Sequence, residues 1–141
     1  MTTVEDLAYH YLDVLDALDL RDVTLIGSSL GGWAAAAIAI KQSPRVARVV
    51  LIDPVGVKFG GHDDRDIVDI WGKGLEELTQ LTFHDPAKGF INYAELPDED
   101  VLVLSRARES AAWFGWSPYM HDPKLRSRLH RIDRPTLVLW G

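Results

Sequence analysis

The residues with the clearest capacity for chemistry form the pattern Gly27-x-Ser29-x-Gly31. A short β-rich apolar run ends at Ile26, directly before this pattern, and a strongly apolar run begins at Trp33, directly after it. A serine held on a sharp turn from a strand into a helix projects its hydroxyl from the end of a sheet, where it can attack a substrate. Glycines two positions away are suited to such a turn, because they have no Cβ atom to crowd the backbone.

The backbone after the serine adds a second chemical feature. A helix that begins at Leu30 would direct its free N–H groups and the positive end of its dipole at the Ser29 hydroxyl. The N–H of Leu30 is therefore the first candidate donor to an oxyanion, and loss of one such donor costs roughly 3 kcal/mol of transition-state stabilisation. A serine hydroxyl also needs a base, since its proton must leave as it attacks.

Two other interpretations of this segment are a phosphate-binding loop and a turn without chemistry. A phosphate-binding loop requires Gly-Lys-Ser or Gly-Lys-Thr after its glycines, whereas this chain has Gly31-Gly32-Trp33, and it contains no G-x-G-x-x-G pattern. Nucleotide binding is therefore not expected. A glycine-serine turn without any chemistry is the remaining alternative to a nucleophile.

The order of predicted elements indicates the fold class. Residues 1–54 have the pattern of helix, strand, helix and strand, with Thr2 and Thr3 as candidate caps of the first helix. Residues 55–133 form short amphipathic segments, with helices expected over 98–116 and 122–131, and residues 134–141 form a third strand. This alternation predicts an α/β fold with a partial doubly wound parallel sheet of three strands and a helical insertion. The strands are nearly continuous apolar runs, which predicts burial on both faces.

Three segments carry a resemblance to a known family. The sequence from Val23 to Trp33 resembles the nucleophile elbow of the α/β-hydrolase family. Residues 48–57 resemble the strand that follows the elbow helix, and residues 133–141 resemble the strand that precedes the catalytic acid. The resemblance covers nearly the whole chain, from the family's helix B to its strand 7, and makes residues 1–54 and 134–141 core segments and residues 55–133 a helical cap.

The resemblance implies a serine hydrolase that acts on a small-molecule ester or related acyl substrate through an acyl-enzyme at Ser29. Serine at the elbow is consistent with this, because family members that open epoxides or displace halide have aspartate there. A carbon-carbon bond hydrolase and an acyltransferase are the alternatives within the same fold. No cofactor is implied.

The resemblance also implies catalytic residues that these 141 residues lack. The family's acid follows the strand that here ends at Gly141, and its histidine follows the next strand. None of the five histidines matches that position (His10, His62, His84, His121 and His130). We therefore expect an internal piece of a hydrolase that is nearly inert alone; a catalytically inert truncated or interaction product is the alternative. Asp53 lies where some members place the acid, although an Asp-Pro pair at a strand end is also a common turn.

Composition narrows the classes of partner. The net charge of −6 argues against nucleic acid or an anionic membrane as the partner. There is no cysteine, no basic and apolar leader and no long apolar stretch, which favours a cytoplasmic location without a membrane span. His62, Asp63 and Asp64 could be imagined as metal ligands, but without another histidine or cysteine at ligand spacing a solvated loop is the preferred interpretation.

The inserted segment contains two groups of side chains with different expected roles. One group is aromatic or thioether and is expected mainly to form the insertion's core, although some members could line an acyl pocket (Trp71, Trp113, Phe114, Trp116, Tyr119 and Met120). The other is basic and is expected to form a solvated face (Lys124, Arg126, Arg128 and Arg131). The outer strands would have unpaired edges, which predicts self-association.

Overall fold

A parallel sheet forms the centre of the molecule. The computed structural model describes residues 1–61 and 63–141, and within them three strands pair in the order β1 (Val23–Ser28), β2 (Val46–Ile52) and β3 (Thr136–Leu139). Both pairings are parallel, so the carboxyl ends of the strands lie at the same edge of the sheet. The predicted α/β class with three parallel strands is confirmed.

Two helices cover one face of this sheet. Helix α1 (Val4–Ala17) is capped by Thr3, whose side chain accepts a hydrogen bond from the N–H of Asp6 while the Asp6 carboxylate accepts one from the N–H of Thr3. Helix α2 (Leu30–Ala39) packs against α1 on one side and against β1 and β2 on the other. The core therefore lies between α1, α2 and the central strand.

The segment between β2 and β3 is helical and irregular. Helix α5 (Asp98–Gly115) agrees with the predicted long helix. The helix predicted over 122–131 is wrong in extent, because the Asp122 carboxylate and carbonyl accept the N–H groups of Lys124 and Leu125 in a turn. Regular helix begins only after that turn. The other helices of the segment are α3 (Leu75–Thr82), α4 (Pro86–Gly89) and α6 (Leu125–Arg128), with 3-10 turns at Tyr93–Glu95 and Leu129–Arg131.

The prediction that all strands are buried on both faces is wrong. Every residue of β3 is exposed, Leu137 by 53%, and Ile26 of β1 is 69% exposed. Among the described helices, α2 packs closely against β1 and β2, and every second residue of β1 (Thr24, Ile26 and Ser28) is exposed. An apolar run therefore indicates that a strand can be buried, but it does not show whether other elements of this chain cover the strand.

Within the described residues, no helix has the length and apolar character needed to cross a membrane.

Candidate active site

Ser29 lies at the turn between β1 and α2. Strand β1 ends at Ser28 and helix α2 begins at Leu30, so the predicted strand-turn-helix context is confirmed. The backbone of Ser29 has φ of 51° and ψ of −118°, a conformation that a residue with a Cβ atom rarely adopts. Such a conformation costs on the order of 1–3 kcal/mol and persists only where the surroundings impose it.

Hydrogen bonds to the neighbouring strand hold this backbone in place. The N–H of Ser29 donates to the carbonyl of Ile52 at 2.9 Å. The carbonyl of Ser29 accepts from the N–H of Trp33 at 3.1 Å and from the N–H of Val55 at 3.2 Å. The turn is therefore tied both to its own helix and to the chain that leaves β2.

The glycines around Ser29 have unequal roles. A Cβ atom on Gly27 would lie 2.1 Å from the carbonyl oxygen of Gly31, and one on Gly32 would lie 2.8 Å from the Cβ of Pro54. A Cβ atom on Gly31 would meet nothing within 4 Å. The expectation that Gly31 must lack a side chain for space is therefore wrong, and Gly32, which the pattern did not single out, is the second crowded position.

The Ser29 hydroxyl is available for chemistry. Ser29 is exposed, and its side chain makes no capping hydrogen bond to α2. No other residue within 1–61 and 63–141 forms a hydrogen bond with this hydroxyl. The N–H of Leu30 is in the first turn of α2 and has no acceptor within the helix, so it can donate to an oxyanion formed at Ser29.

The described histidines lie elsewhere. The Nδ1 atom of His121 lies 2.8 Å from the carbonyl oxygen of Tyr119, and that of His130 lies 2.9 Å from the carbonyl oxygen of Ser127. His10 lies on α1, and His84 lies in the chain between α3 and α4. His62 is outside the described residues, so the metal-site interpretation that involves it is outside them as well. The Ser29 hydroxyl and the free N–H of Leu30 lie together at this turn, and no described histidine is bonded to the hydroxyl.

Asp53 lies at the carboxyl end of β2, directly after the residue that binds the Ser29 N–H. Its own N–H donates to the carbonyl of Leu139 at 2.9 Å, and its carboxylate accepts the N–H of Gly141 at 2.8 Å. Its backbone has φ of 42°, in the left-handed region. The Asp53 carboxylate thus holds the chain that leaves β3, and the Asp53 backbone itself has a turn-like conformation.

Comparison with known proteins decides the family. The sequence model of the alpha/beta hydrolase family matches residues 1–141. This chain belongs to the alpha/beta hydrolase family.

Two relatives of this alpha/beta hydrolase family member are named as hydrolases of 2-hydroxy-6-oxo acids. A 2-hydroxy-6-oxo-2,4-heptadienoate hydrolase of Pseudomonas putida is 45% identical over 69 residues, which cover 49% of this chain and 24% of that protein. A 2-hydroxy-6-oxononadienedioate/2-hydroxy-6-oxononatrienedioate hydrolase of Paraburkholderia xenovorans is 30% identical over 145 aligned positions, covering 91% of this chain and 48% of that protein. The chain thus spans no more than about half the length of these curated relatives.

A solved structure supports the fold of this family member. A variant of a meta-cleavage product hydrolase superposes with a TM-score of 0.59 at 23% identity, and the match covers 100% of this chain and 54% of that chain. At this identity the likeness shows the fold and no more.

The aromatic side chains of this hydrolase-family chain divide into two sets. Met120 is buried and Phe114 packs against the core, as the core interpretation expected. Trp113 and Trp116 are 65% and 59% exposed, so for them the core interpretation is wrong. The Tyr119 hydroxyl donates to the carbonyl of Val68 at 2.7 Å and so fastens the chain after β2.

The basic cluster is only partly a solvated face. Arg128 lies 3.5 Å from the carboxylate of Glu5, and the guanidinium of Arg131 donates to the carbonyl of Ile40 at 3.0 Å. Arg126 lies over the ring of Phe59 and is exposed. Two members of the cluster therefore fasten α6 and the turn after it to the helical layer, which sequence spacing alone did not indicate.

Proposed function

We propose that this chain carries the nucleophilic serine of a hydrolase that cleaves a carbon-carbon bond next to the 6-oxo group of a 2-hydroxy-6-oxo dienoic acid. The observation that carries the proposal is Ser29 itself: a strained turn holds an uncommitted hydroxyl beside the N–H of Leu30 at the first turn of α2. The names of the relatives supply the substrate class. An ester substrate, which the resemblance alone implied, has no such support among those relatives.

The proposed chemistry follows from the substrate's functional groups. The Ser29 oxygen bonds to the carbonyl carbon at position 6, and the carbonyl oxygen becomes an oxyanion that accepts the N–H of Leu30. Collapse of this adduct breaks the bond between carbons 5 and 6. Before the bond breaks, the 2-hydroxyl of the dienoate loses its proton and carbon 5 takes a proton, which gives the 2-oxo tautomer. The electron pair of the broken bond then passes through the conjugated system to the 2-oxo oxygen, which takes a proton and becomes the 2-hydroxyl of the product. Water then hydrolyses the acyl-enzyme to a carboxylic acid and regenerates the hydroxyl.

This reaction needs a base that removes the Ser29 proton. No described histidine is bonded to that hydroxyl, so we expect the 141-residue chain alone to be nearly inert. We propose that the missing base and its acid are those that the family resemblance places after the strand ending at Gly141, and that residues 55–133 act as the cap over the substrate. An inert product that acts by binding a partner is the competing proposal.

The test compares two substrates and two lengths of protein. A version extended through the following coding sequence is assayed with 2-hydroxy-6-oxo-2,4-heptadienoate and with p-nitrophenyl acetate, beside the 141-residue chain. We expect dienoate turnover in the extended version only, with loss of at least about 10⁴-fold in kcat for Ser29→Ala. Turnover that survives Ser29→Ala would refute the nucleophile, and turnover of the ester alone would refute the carbon-carbon assignment.

A further inference from the structure

A cavity lies beside helix α2, beyond the turn that holds Ser29. Its volume is about 380 Å³, and it is lined by the amino end of α1, one side of α2 and the chain from Phe114 to Lys124. Neither Ser29 nor Leu30 lines it. The size falls in the usual range of small-molecule pockets, so the cavity is a candidate binding site that the hydrolytic chemistry does not use.

One wall of this cavity is apolar and held in place by backbone contacts. Trp33 is only 5% exposed and forms this wall with Phe114 and Pro118. A Cβ atom on Gly56 would lie 2.4 Å from the ring of Trp33, so this glycine allows the backbone to lie against the ring. Gly56 in turn accepts the N–H of Asp122 at 3.0 Å and donates to the carbonyl of Met120 at 2.9 Å. These hydrogen bonds join Gly56, which lies against Trp33, to the chain around Met120 and Asp122. The apolar wall is therefore formed before a ligand binds.

The charged part of the lining, here called the polar wall, has more positive than negative groups. The Nζ of Lys41 lies 2.8 Å from the Glu5 carboxylate and a guanidinium nitrogen of Arg128 lies 3.5 Å from it, so this one carboxylate is shared by two cations. The hydrogen bond from Lys41 lowers the pKa of Glu5, with the charges of Lys41, Arg128 and Lys124 acting in the same direction and partial burial opposing them. Asp122, the other carboxylate of the cavity, accepts the backbone N–H of Lys124. The cavity lining thus contains three cations and two carboxylates, a positive excess that contrasts with the net charge of −6 of the whole chain.

Two polar groups of the polar wall are available to a ligand. No described carboxylate forms an ion pair with the ammonium of Lys124. The Nδ1 of His121 lies 2.8 Å from the carbonyl oxygen of Tyr119, and no described residue forms a hydrogen bond with its Nε2. These two groups favour a ligand that accepts hydrogen bonds and carries negative charge, and the ring of Trp33 favours a flat apolar group in that ligand.

We propose that this cavity binds a small organic carboxylate with a flat apolar body, the carboxylate at Lys124 and His121 and the body against Trp33 and Phe114. The site is separate from Ser29, so its ligand is not the species undergoing hydrolysis. Binding there would stabilise the contact between the α1-α2 layer and the chain around residue 120.

The test is calorimetric titration of the 141-residue chain with phenylacetate and with the uncharged, isosteric phenylacetamide. We expect saturable binding of phenylacetate with Kd below about 1 mM, and at least about tenfold weaker binding of the amide. Lys124→Glu is expected to weaken phenylacetate binding by at least about tenfold. The matched control is Arg126→Glu, which makes the same charge change two residues away at a side chain outside the cavity.

Ser29→Ala separates this site from the hydrolytic one. We expect it to bind phenylacetate as the unaltered chain does, because Ser29 does not line the cavity. Equal affinity for acid and amide, equal losses in the two charge variants, or absence of saturable binding would each overturn the proposal. Loss of binding in Ser29→Ala would overturn it too, by placing the ligand at the hydrolytic serine.

Discussion

The N–H of Ser29 donates to the carbonyl of Ile52 across a distance of 2.9 Å, which joins the turn after β1 to the last residue of β2. The N–H of Val55 donates a hydrogen bond to the carbonyl of Ser29 at 3.2 Å. The conformation of the serine therefore depends on the pairing of two strands as well as on its own helix.

Gly27 and Gly31 should respond oppositely to alanine. Gly27→Ala places a Cβ atom against the Gly31 carbonyl, a backbone group that cannot rotate away, so we expect a loss of at least about 2 kcal/mol in the free energy of unfolding. Gly31→Ala meets open space inside a helix, and we expect no loss or a gain of up to about 1 kcal/mol. Urea unfolding of both variants measures the difference. Similar losses in the two would show that the crowding is not at Gly27.

The backbone strain at Ser29 should lower the free energy of unfolding by a measurable amount. Ser29→Gly removes the Cβ atom from a backbone with φ of 51°, whereas Ser29→Ala keeps it. We expect the glycine variant to be more stable than the alanine variant by about 1 kcal/mol, after the greater unfolded-state entropy of glycine is counted. Unfolding midpoints in urea compare the two directly. Equal midpoints would mean that the turn is not strained.

Asp53 is expected to position the chain rather than to serve as the triad acid. Asp53→Asn keeps an oxygen that accepts the Gly141 N–H, so the extended protein should retain most of its kcat, while Asp53→Ala should reduce it. A triad acid behaves differently, since its change to asparagine lowers kcat by about 10⁴-fold. A loss of that size in Asp53→Asn, with an altered pH profile, would assign the acid role to Asp53.

The amino end of α1 should show an acid-dependent loss of stability. Hydrogen bonds from the N–H groups of Thr2 and Thr3 lower the pKa of Asp6 below its ordinary value of 3.8, the Thr2 backbone contributing most. A carboxylate whose pKa is lower in the folded than in the unfolded state stabilises the folded protein at pH values above the unfolded-state pKa. This contribution is lost as the pH falls through the folded-state pKa. The stability difference between the unaltered chain and Asp6→Asn should therefore be constant near neutral pH and shrink below about pH 4. A difference that persists unchanged in acid would exclude this role.

The edges of the sheet should promote self-association. Strands β1 and β3 each have one strand neighbour in the described chain, and Leu137 and Leu139 are exposed on β3. We expect oligomers at micromolar concentration in light scattering, reduced by Leu139→Lys because a charge on an exposed strand opposes pairing with another chain. Val103→Lys is the control, since Val103 is an exposed apolar residue of helix α5. A monomer at all concentrations would contradict the expectation.

The sequence by itself determined the features that arise within a few residues. The apolar run before Ser29, the glycine at position 27 and the alanine-rich run after it were enough to predict a strand, a turn and a helix, because each depends on local propensity and on the space around one backbone segment. The parallel sheet followed from the alternation of strands and helices, since parallel strands require crossovers.

Only the tertiary structure decided the features made by residues far apart in the chain. The crowding at Gly32 arises from Pro54, which lies far along the chain. The hydrogen bond between the Asp53 carboxylate and Gly141 depends on the pairing of β2 with β3. The ion pair of Glu5 with Arg128 depends on how α1 lies against the helical layer. Exposure of Leu137 likewise depends on which face the helices cover. Local spacing does not encode these distances, because they are set by the path of the whole chain through the packed layers.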